Sequence, residues 1–323
     1  MNMIFRRQNL PLLVTALVFV VLFGAFSVAF RNFLSLRVVT NLFMNNAHVG
    51  IIAVGLTFVI LSGGIDLSVG SVLAFATILV ATLIGKFHVH PGAAIAVALL
   101  AGAVFGAGQG FLIQSYQLPP FLVTLAGMFL ARGLAFMVSA KEMAIEHGFY
   151  RALAGLGLPL PGRVMFGFTA CVFVVVLLAG LWIAHLTRFG RNVYAIGGSE
   201  SSAVLMGLPV ARTKVLIYAL SGFCAALGGV VFTVQAQSGN PLNGFGMELD
   251  AIAAVVIGGT LLSGGVGQVA GTLLGVLIYG TILTAPDYLS GFDSSWQRIA
   301  IGGLLLVFII LQRFLSRASA PGG

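Results

Sequence analysis

Long apolar runs, broken by short polar or glycine-rich interruptions, set the pattern of the chain. A helix needs about 20 apolar residues to cross a hydrocarbon core. Ten stretches approach that length: 10–30, 45–62, 68–86, 92–114, 119–139, 164–186, 215–236, 250–263, 267–286 and 297–315. The pattern therefore predicts an all-α, polytopic membrane protein of about ten transmembrane helices. Two regions, 45–86 and 250–286, are each one long apolar run punctuated by glycine, and each also fits a broken or re-entrant helix. Gly63-Gly64 and Gly264-Gly265 mark the breaks. The first run follows Arg6-Arg7 and spans 10–30, longer than the roughly 7–15 apolar residues of a signal peptide, so it reads as a first span.

Composition reinforces the pattern. Only 7% of the 323 residues are charged, against about 25% in soluble domains. The formal charge of +8 would suggest nucleic acid in a soluble protein. Here no basic patch is interleaved with aromatics, so no nucleic acid is expected, and the excess is assigned to cytoplasmic loops facing anionic membrane lipid. Ten spans place both termini on one side. The most basic short connection is 187–214, and Arg6, Arg7, Arg313 and Arg317 flank the ends. These are expected in the cytoplasm, with the chain threaded many times through the membrane. The remaining loops are too short to hold a folded unit, so residues 1–323 read as a single transmembrane domain.

The chemistry of an enzyme is missing. There is no G-x-x-x-x-G-K-[ST] phosphate loop, no H-E-x-x-H and no G-x-S-x-G. Cys171 and Cys224 stand alone in apolar runs, and His88-Val89-His90 is too small a set for a metal. No metal or other cofactor is expected. Transport is the natural function, and two energy sources compete. An ion-coupled secondary carrier keeps several ionisable groups inside the membrane. Mid-span candidates here are Asp66 and Arg132, the latter expected near the outer end of 119–139, reaching headgroups or an acidic partner. A pump subunit instead needs a docking surface for a separate ATPase.

The inner loop reads TRFGRNVYAIGGSESSAVLMGLPVARTKVLIYALSG from Thr187 to Gly222. Ser199 can N-cap a short helix beginning at Glu200, whose carboxylate suits a helix N-terminus. Ala203 and Gly207 share one face, and Gly207 and Pro209 end the helix. Such a helix suits a groove on another protein, or can lie on its own bundle; both readings stand.

The arrangement resembles the Glu-Ala-Ala…Gly loop of ABC importer permeases. Its surroundings, FGRNVYAIGGSESSAVLMG (189–207), resemble the ribose/branched-chain amino acid permease family. So do GIIAVGLTFVILSGGIDLSVGS (50–71), LPPFLVTLAGMFLARG (118–133) and ELDAIAAVVIGGTLLSGGVGQVAGTLLG (248–275), which together span nearly the whole chain. Departures are Ser199 for the usual Asn, Ser201-Ser202 before Ala203, and Thr284-Ala-Pro-Asp-Tyr where the family has an Asn-rich segment. The resemblance implies a binding-protein-dependent sugar importer, with galactofuranose permeases more similar than ribose permeases. It implies four kinds of partner: a cytoplasmic ABC ATPase, a second permease subunit (identical or different), a periplasmic sugar-binding protein and membrane lipid. The ATPase would dock on Arg188, Gly190, Arg191, Gly197, Glu200, Ala203 and Gly207.

A neutral, polyhydroxylated substrate calls for neutral donors and acceptors, without deep charges. Path candidates are Asn45, Asn46, Ser68, Gln109, Gln114, Thr124, Gln235 and Gln237, with Phe121 as a gate. An internal echo links LSGGIDLSVGSVLA (61–74) to LSGGVGQVAGTLLG (262–275), and paired breaks of this kind mark the pathway in transporters. Asp66 has no acidic or basic neighbour in sequence to relay protons, and Gly267 occupies its place in the echo. It is expected to cap a helix starting near Leu67, with Ser68 adding an oxygen, beside the path; direct contact with sugar hydroxyls is the other reading.

Overall fold

The computed structural model describes residues 10–284 and 294–319. Arg6, Arg7, the side chains of Arg313 and Arg317, and the segment 285–288 lie outside the described residues. An apolar helix α1 (Leu10–Ala29) leads to α2 (Leu36–Asn45), where the Ser35 hydroxyl accepts the Val38 N–H. Helix α3 (Ala47–Leu61) bends by 59° from α2. Then come α4 (Val69–Gly85), α5 (Pro91–Ser115) and α6 (Pro120–Val138). Pro91 and Pro120 each occupy a first helical position, where the missing N–H costs nothing. Next are strand β1 (Met143–Ala144), α7 (Gly148–Gly155) and the hairpin β2 (Gly157–Leu160) with β3 (Val164–Gly167). Helix α8 (Phe168–Leu186) leads into the short helices α9 (Arg188–Gly198) and α10 (Glu200–Leu205). The long α11 (Val210–Ala236) returns to β4 (Ser238–Gly239), which pairs with β1. Helices α12 (Met247–Ile257), α13 (Val269–Thr284) and α14 (Ser294–Ser319) complete the described chain.

Helix α3 is buried on nearly every side, as its uniformly apolar sequence requires. It packs with α11, α8, α12 and α13 at the centre. Lipid tails are as apolar as leucine, so close backbone approach rather than a hydrophobic gradient joins α5 to α11. Gly102, Gly106 and Gly110 line the α5 side, and a Cβ at Gly106 would strike the Tyr218 carbonyl of α11.

About ten spans were expected, with 45–86 and 250–286 allowed to be broken or re-entrant, and those two regions are where the full crossings fall short. Among the described residues, five helices, α1, α5, α6, α8 and α11, are long and apolar enough to cross a membrane, or six if the bent α2–α3 pair counts as one. Helix α4, with 17 residues, reaches only about 25 Å, and α12, with 11, about 16 Å, both short of the roughly 30 Å core. Apolar run length overcounts because a glycine break divides each of 45–86 and 250–286 inside the bundle. After β4 the chain turns back along α4: Thr77 Oγ1 donates to the Asn240 carbonyl at 3.3 Å, and Gly244 lies against Gly70. Only then does α12 begin.

Candidate functional site

The two glycine breaks meet. In the first, residues 62–68, Gly63 adopts φ +80°, which only glycine reaches without strain. In the second, 258–268, Gly264 (φ +84°) and Gly265 (φ +74°) do the same. The Gly265 N–H donates to the Leu61 carbonyl at 2.8 Å, joining the breaks directly. The echo noted in the sequence is thus a spatial pairing as well as a repeat.

The last turn of α9 sits on this junction. A Cβ at Gly197 would lie 2.5 Å from the Gly265 nitrogen and closer still to the Leu61 carbonyl oxygen. The Tyr194 hydroxyl donates to the Gly267 carbonyl at 2.9 Å. Burial pushes the Tyr194 phenol above its ordinary range, so it stays a neutral donor. One short amphipathic helix therefore touches both breaks through backbone-to-backbone contact.

Helix α10 follows at once. Ser199 N-caps it, its hydroxyl accepting the Ser202 N–H at 3.3 Å. Glu200 pairs with Lys214 of α11 at 2.5 Å, the only ion pair among the described residues. Ala203 is fully covered by its own chain, beside Ile196 and Val210. Gly190 packs against the Ile183 and Ala184 carbonyls. The small residues Gly190, Gly197 and Ala203 thus make room within the chain. Gly207 (φ +74°) turns the chain in open space, and Arg188 and Arg191 are exposed. What projects outward is a different set: Val204, Leu205 and Met206, with Leu205 88% exposed. The sequence reading missed this apolar knob; three consecutive large apolar residues on a polar loop were the available signal.

The polar residues expected along a path divide into separate groups. Asp66 is buried, but it does not start the helix: Ser68 occupies the N-cap of α4. Asp66 Oδ1 accepts both the Ser68 N–H at 2.9 Å and its hydroxyl at 2.7 Å. Asp66 Oδ2 accepts the Ser221 hydroxyl of α11 at 2.7 Å. Gln109 joins through Ser68, while its Nε2 is buried without a partner among the described residues. Thr124 Oγ1 and the Tyr218 hydroxyl both face the Ile65 carbonyl at 3.4 Å. The carboxylate therefore ties the first break to α11. Ser221 and Tyr218, which complete this network, were not legible as partners because they lie some 150 residues away.

Elsewhere, Asn45 and Gln235 line a cavity of about 600 Å³ with Met44, Gly167 and Phe232, and Gln235 Nε2 donates to the Met44 carbonyl at 2.6 Å. Asn46 is buried, bonded to the Leu42 carbonyl and lying against Gly280. Phe121 is on the exposed surface of α6. Gln237 caps α11 in a left-handed conformation. Arg132 lies within electrostatic reach of Glu248, the acidic partner allowed for in the sequence. Its Nη1 donates to the Pro241 and Asn243 carbonyls at 2.6 and 2.8 Å, holding the segment that runs beside α4.

A bundle of apolar helices, split by paired glycine breaks that rest on one polar loop, has the architecture of a membrane permease. Residues 38–309 match the family model described as the branched-chain amino acid transport system permease component, so the chain belongs to that family. It is 48% identical over 320 residues to the inner membrane ABC transporter permease protein YjfF of Escherichia coli, covering 98% of this chain and 97% of that one. It is 39% identical to the fructose import permease protein FruG of Bifidobacterium longum, over 95% of this chain and 92% of that one. With the ribose import permease protein RbsC of Bacillus subtilis it shares 42% identity, over 87% and 86%. No solved structure matches the chain.

Proposed function

We propose that this chain is the permease subunit of a binding-protein-dependent ABC importer in a bacterial inner membrane, carrying a monosaccharide, galactofuranose before ribose. The observation that carries the mechanism is the seat of Gly197 and Tyr194 on both glycine breaks. In this reading the α9–α10 end and both termini face the cytoplasm, and residues 1–323 act as one transmembrane unit. A cytoplasmic ATPase receives Leu205 and Met206 in a groove, with Arg188, Arg191 and Glu200 around it. When ATP closes the ATPase, α10 and α9 move together. The breaks, bonded to α9 and to each other, move with them and switch the pathway between its outward- and inward-open forms. Gly207 lets the chain turn freely behind the knob. A second permease chain completes the pathway, and a periplasmic binding protein delivers the sugar. The sugar assignment is supported by the fructose and ribose import permeases among the relatives, and galactofuranose by the whole-chain resemblance.

The test is uptake into proteoliposomes holding the permease pair and the ATPase, with loaded binding protein outside. Galactofuranose should enter only when ATP and binding protein are both present, and ribose should enter more slowly. Uptake that follows a proton or sodium gradient without the ATPase would make the chain a secondary carrier and overturn the proposal.

A further inference from the structure

We infer that the cavity between α12, α13 and α14 is a contact site for the sugar in transit, a reading that rests on the sugar-import assignment above. The cavity has a volume of about 430 Å³, within the range of small-molecule pockets. Five of its lining residues carry the chemistry: Phe245, Asp250, Tyr279, Gln297 and Arg298.

Among the described residues, their arrangement leaves binding capacity unused. The Tyr279 hydroxyl is hydrogen-bonded to the Asp250 carboxylate, which fixes its direction and leaves further lone pairs to accept from a ligand. Arg298 is exposed and, although it lines the same cavity, forms no ion pair among the described residues. The two charges thus border one space without closing on each other. Gln297 donates Nε2 to the Leu283 carbonyl at 3.0 Å, leaving its amide oxygen as an acceptor. Phe245 is 85% exposed, an unusual state for a ring that is held in place. It is held by Arg132, which grips the two preceding carbonyls, at 241 and 243, and lies 5.9 Å from the ring centroid.

A monosaccharide has hydroxyls that donate and accept around its edge and a flatter face of C–H groups. Neutral groups without deep charges were expected along a sugar path; here a half-buried carboxylate and an exposed guanidinium, neither of them deep, join an amide oxygen and an open aromatic ring to complement both parts. An anionic headgroup would suit Arg298 but meet Asp250 as a like charge. A half-buried carboxylate such as Asp250 is costly among membrane helices, which makes a functional role the default reading. Most of the rest of the wall is aliphatic, including Leu249 and Ile301.

The experiment uses the whole importer in proteoliposomes with unaltered binding protein, and measures initial uptake of the favoured sugar and its epimers. Arg298→Gln, Phe245→Ala and Asp250→Asn should each lower uptake by about 10- to 100-fold, the worth of one charge-assisted or stacking contact. Arg298→Gln should also change the uptake ratio between epimers, which a packing defect does not do. Its side chain is exposed, so the variant should still co-purify with the ATPase. The inference is overturned if assembled Arg298→Gln and Phe245→Ala transport like wild type. It is equally overturned if all epimers fall together, or if uptake is lost only through failed assembly. If wild type carries no sugar at all, the import assignment fails first.

Discussion

Gly197→Ala adds one methyl group at the point where α9 meets both breaks. The new Cβ would lie 2.5 Å from the Gly265 nitrogen and overlap the Leu61 carbonyl oxygen, the two ends of the hydrogen bond that joins the breaks. Both obstacles are backbone, so no side chain can swing aside. Forcing a methyl into packed surroundings costs about 1–3 kcal/mol. Leaving the buried Leu61 carbonyl or its half-buried donor, the Gly265 N–H, unpaired adds about 1–3 kcal/mol more. Lifting α9 off the junction relieves both, so the substitution biases the protein toward separation by about 2–6 kcal/mol, or about 30-fold or more in a two-state balance. Gly198→Ala is the matched control, because a Cβ there meets nothing within 4 Å. It should change stability by no more than about 0.5 kcal/mol. Sugar uptake and ATP hydrolysis are measured in the same proteoliposomes. Gly197→Ala should hydrolyse ATP while moving little sugar, and Gly198→Ala should match wild type. Equal behaviour of the two variants would refute the reasoning.

Other predictions follow from single contacts. Asp66→Asn keeps an acceptor for Ser68 and should fold and transport, whereas Asp66→Leu strands the Ser68 N–H and two hydroxyls in a buried site, at about 1–3 kcal/mol each, and should fail to accumulate in membranes. Glu200→Arg sets a like charge against Lys214; an exposed pair is worth only about 0–1 kcal/mol, so thermal stability should hold while uptake is lost. Leu205→Asp removes a side chain that its own chain does not cover, so folding should be unchanged and co-purification of the ATPase abolished. Arg132→Met frees the Pro241 and Asn243 carbonyls, and cleavage by protease between 238 and 247 should quicken relative to wild type.

Much of the fold was legible because the membrane imposes a length on apolar runs. Each expected span holds a helix, and glycine pairs marked both breaks. The number of complete crossings was not legible, since α4, α12 and α13 begin or end inside the bundle, and depth does not show in composition. At Asp66 the local half of the expectation matches the contacts: it accepts the N–H of the residue that caps α4. The other half, the Ser221 bond, depends on how α11 packs and leaves no local mark. Small residues in the 187–214 loop signalled close approach, but not toward what. Gly197 and Ala203 face their own chain, and bulky Leu205 faces out. Arg132 was expected to reach headgroups or an acidic partner, and Glu248 is within its electrostatic reach; its grip on the Pro241 and Asn243 carbonyls was not legible, because the turn of 238–247 back along α4 has no signature beyond ordinary loop residues. The same turn hid the cavity beside Phe245.

The central claim is that the α9–α10 end and the glycine breaks move as one body. Spin labels at Leu205 and Leu262, both exposed, report it directly when compared with a pair at Leu205 and Phe87 beyond the far end of α4. In the assembled importer the Leu205–Leu262 distance should stay constant between nucleotide-free and ATP-bound states, while the Leu205–Phe87 distance changes. A Leu205–Leu262 distance that changes with ATP while Leu205–Phe87 stays fixed would contradict the account.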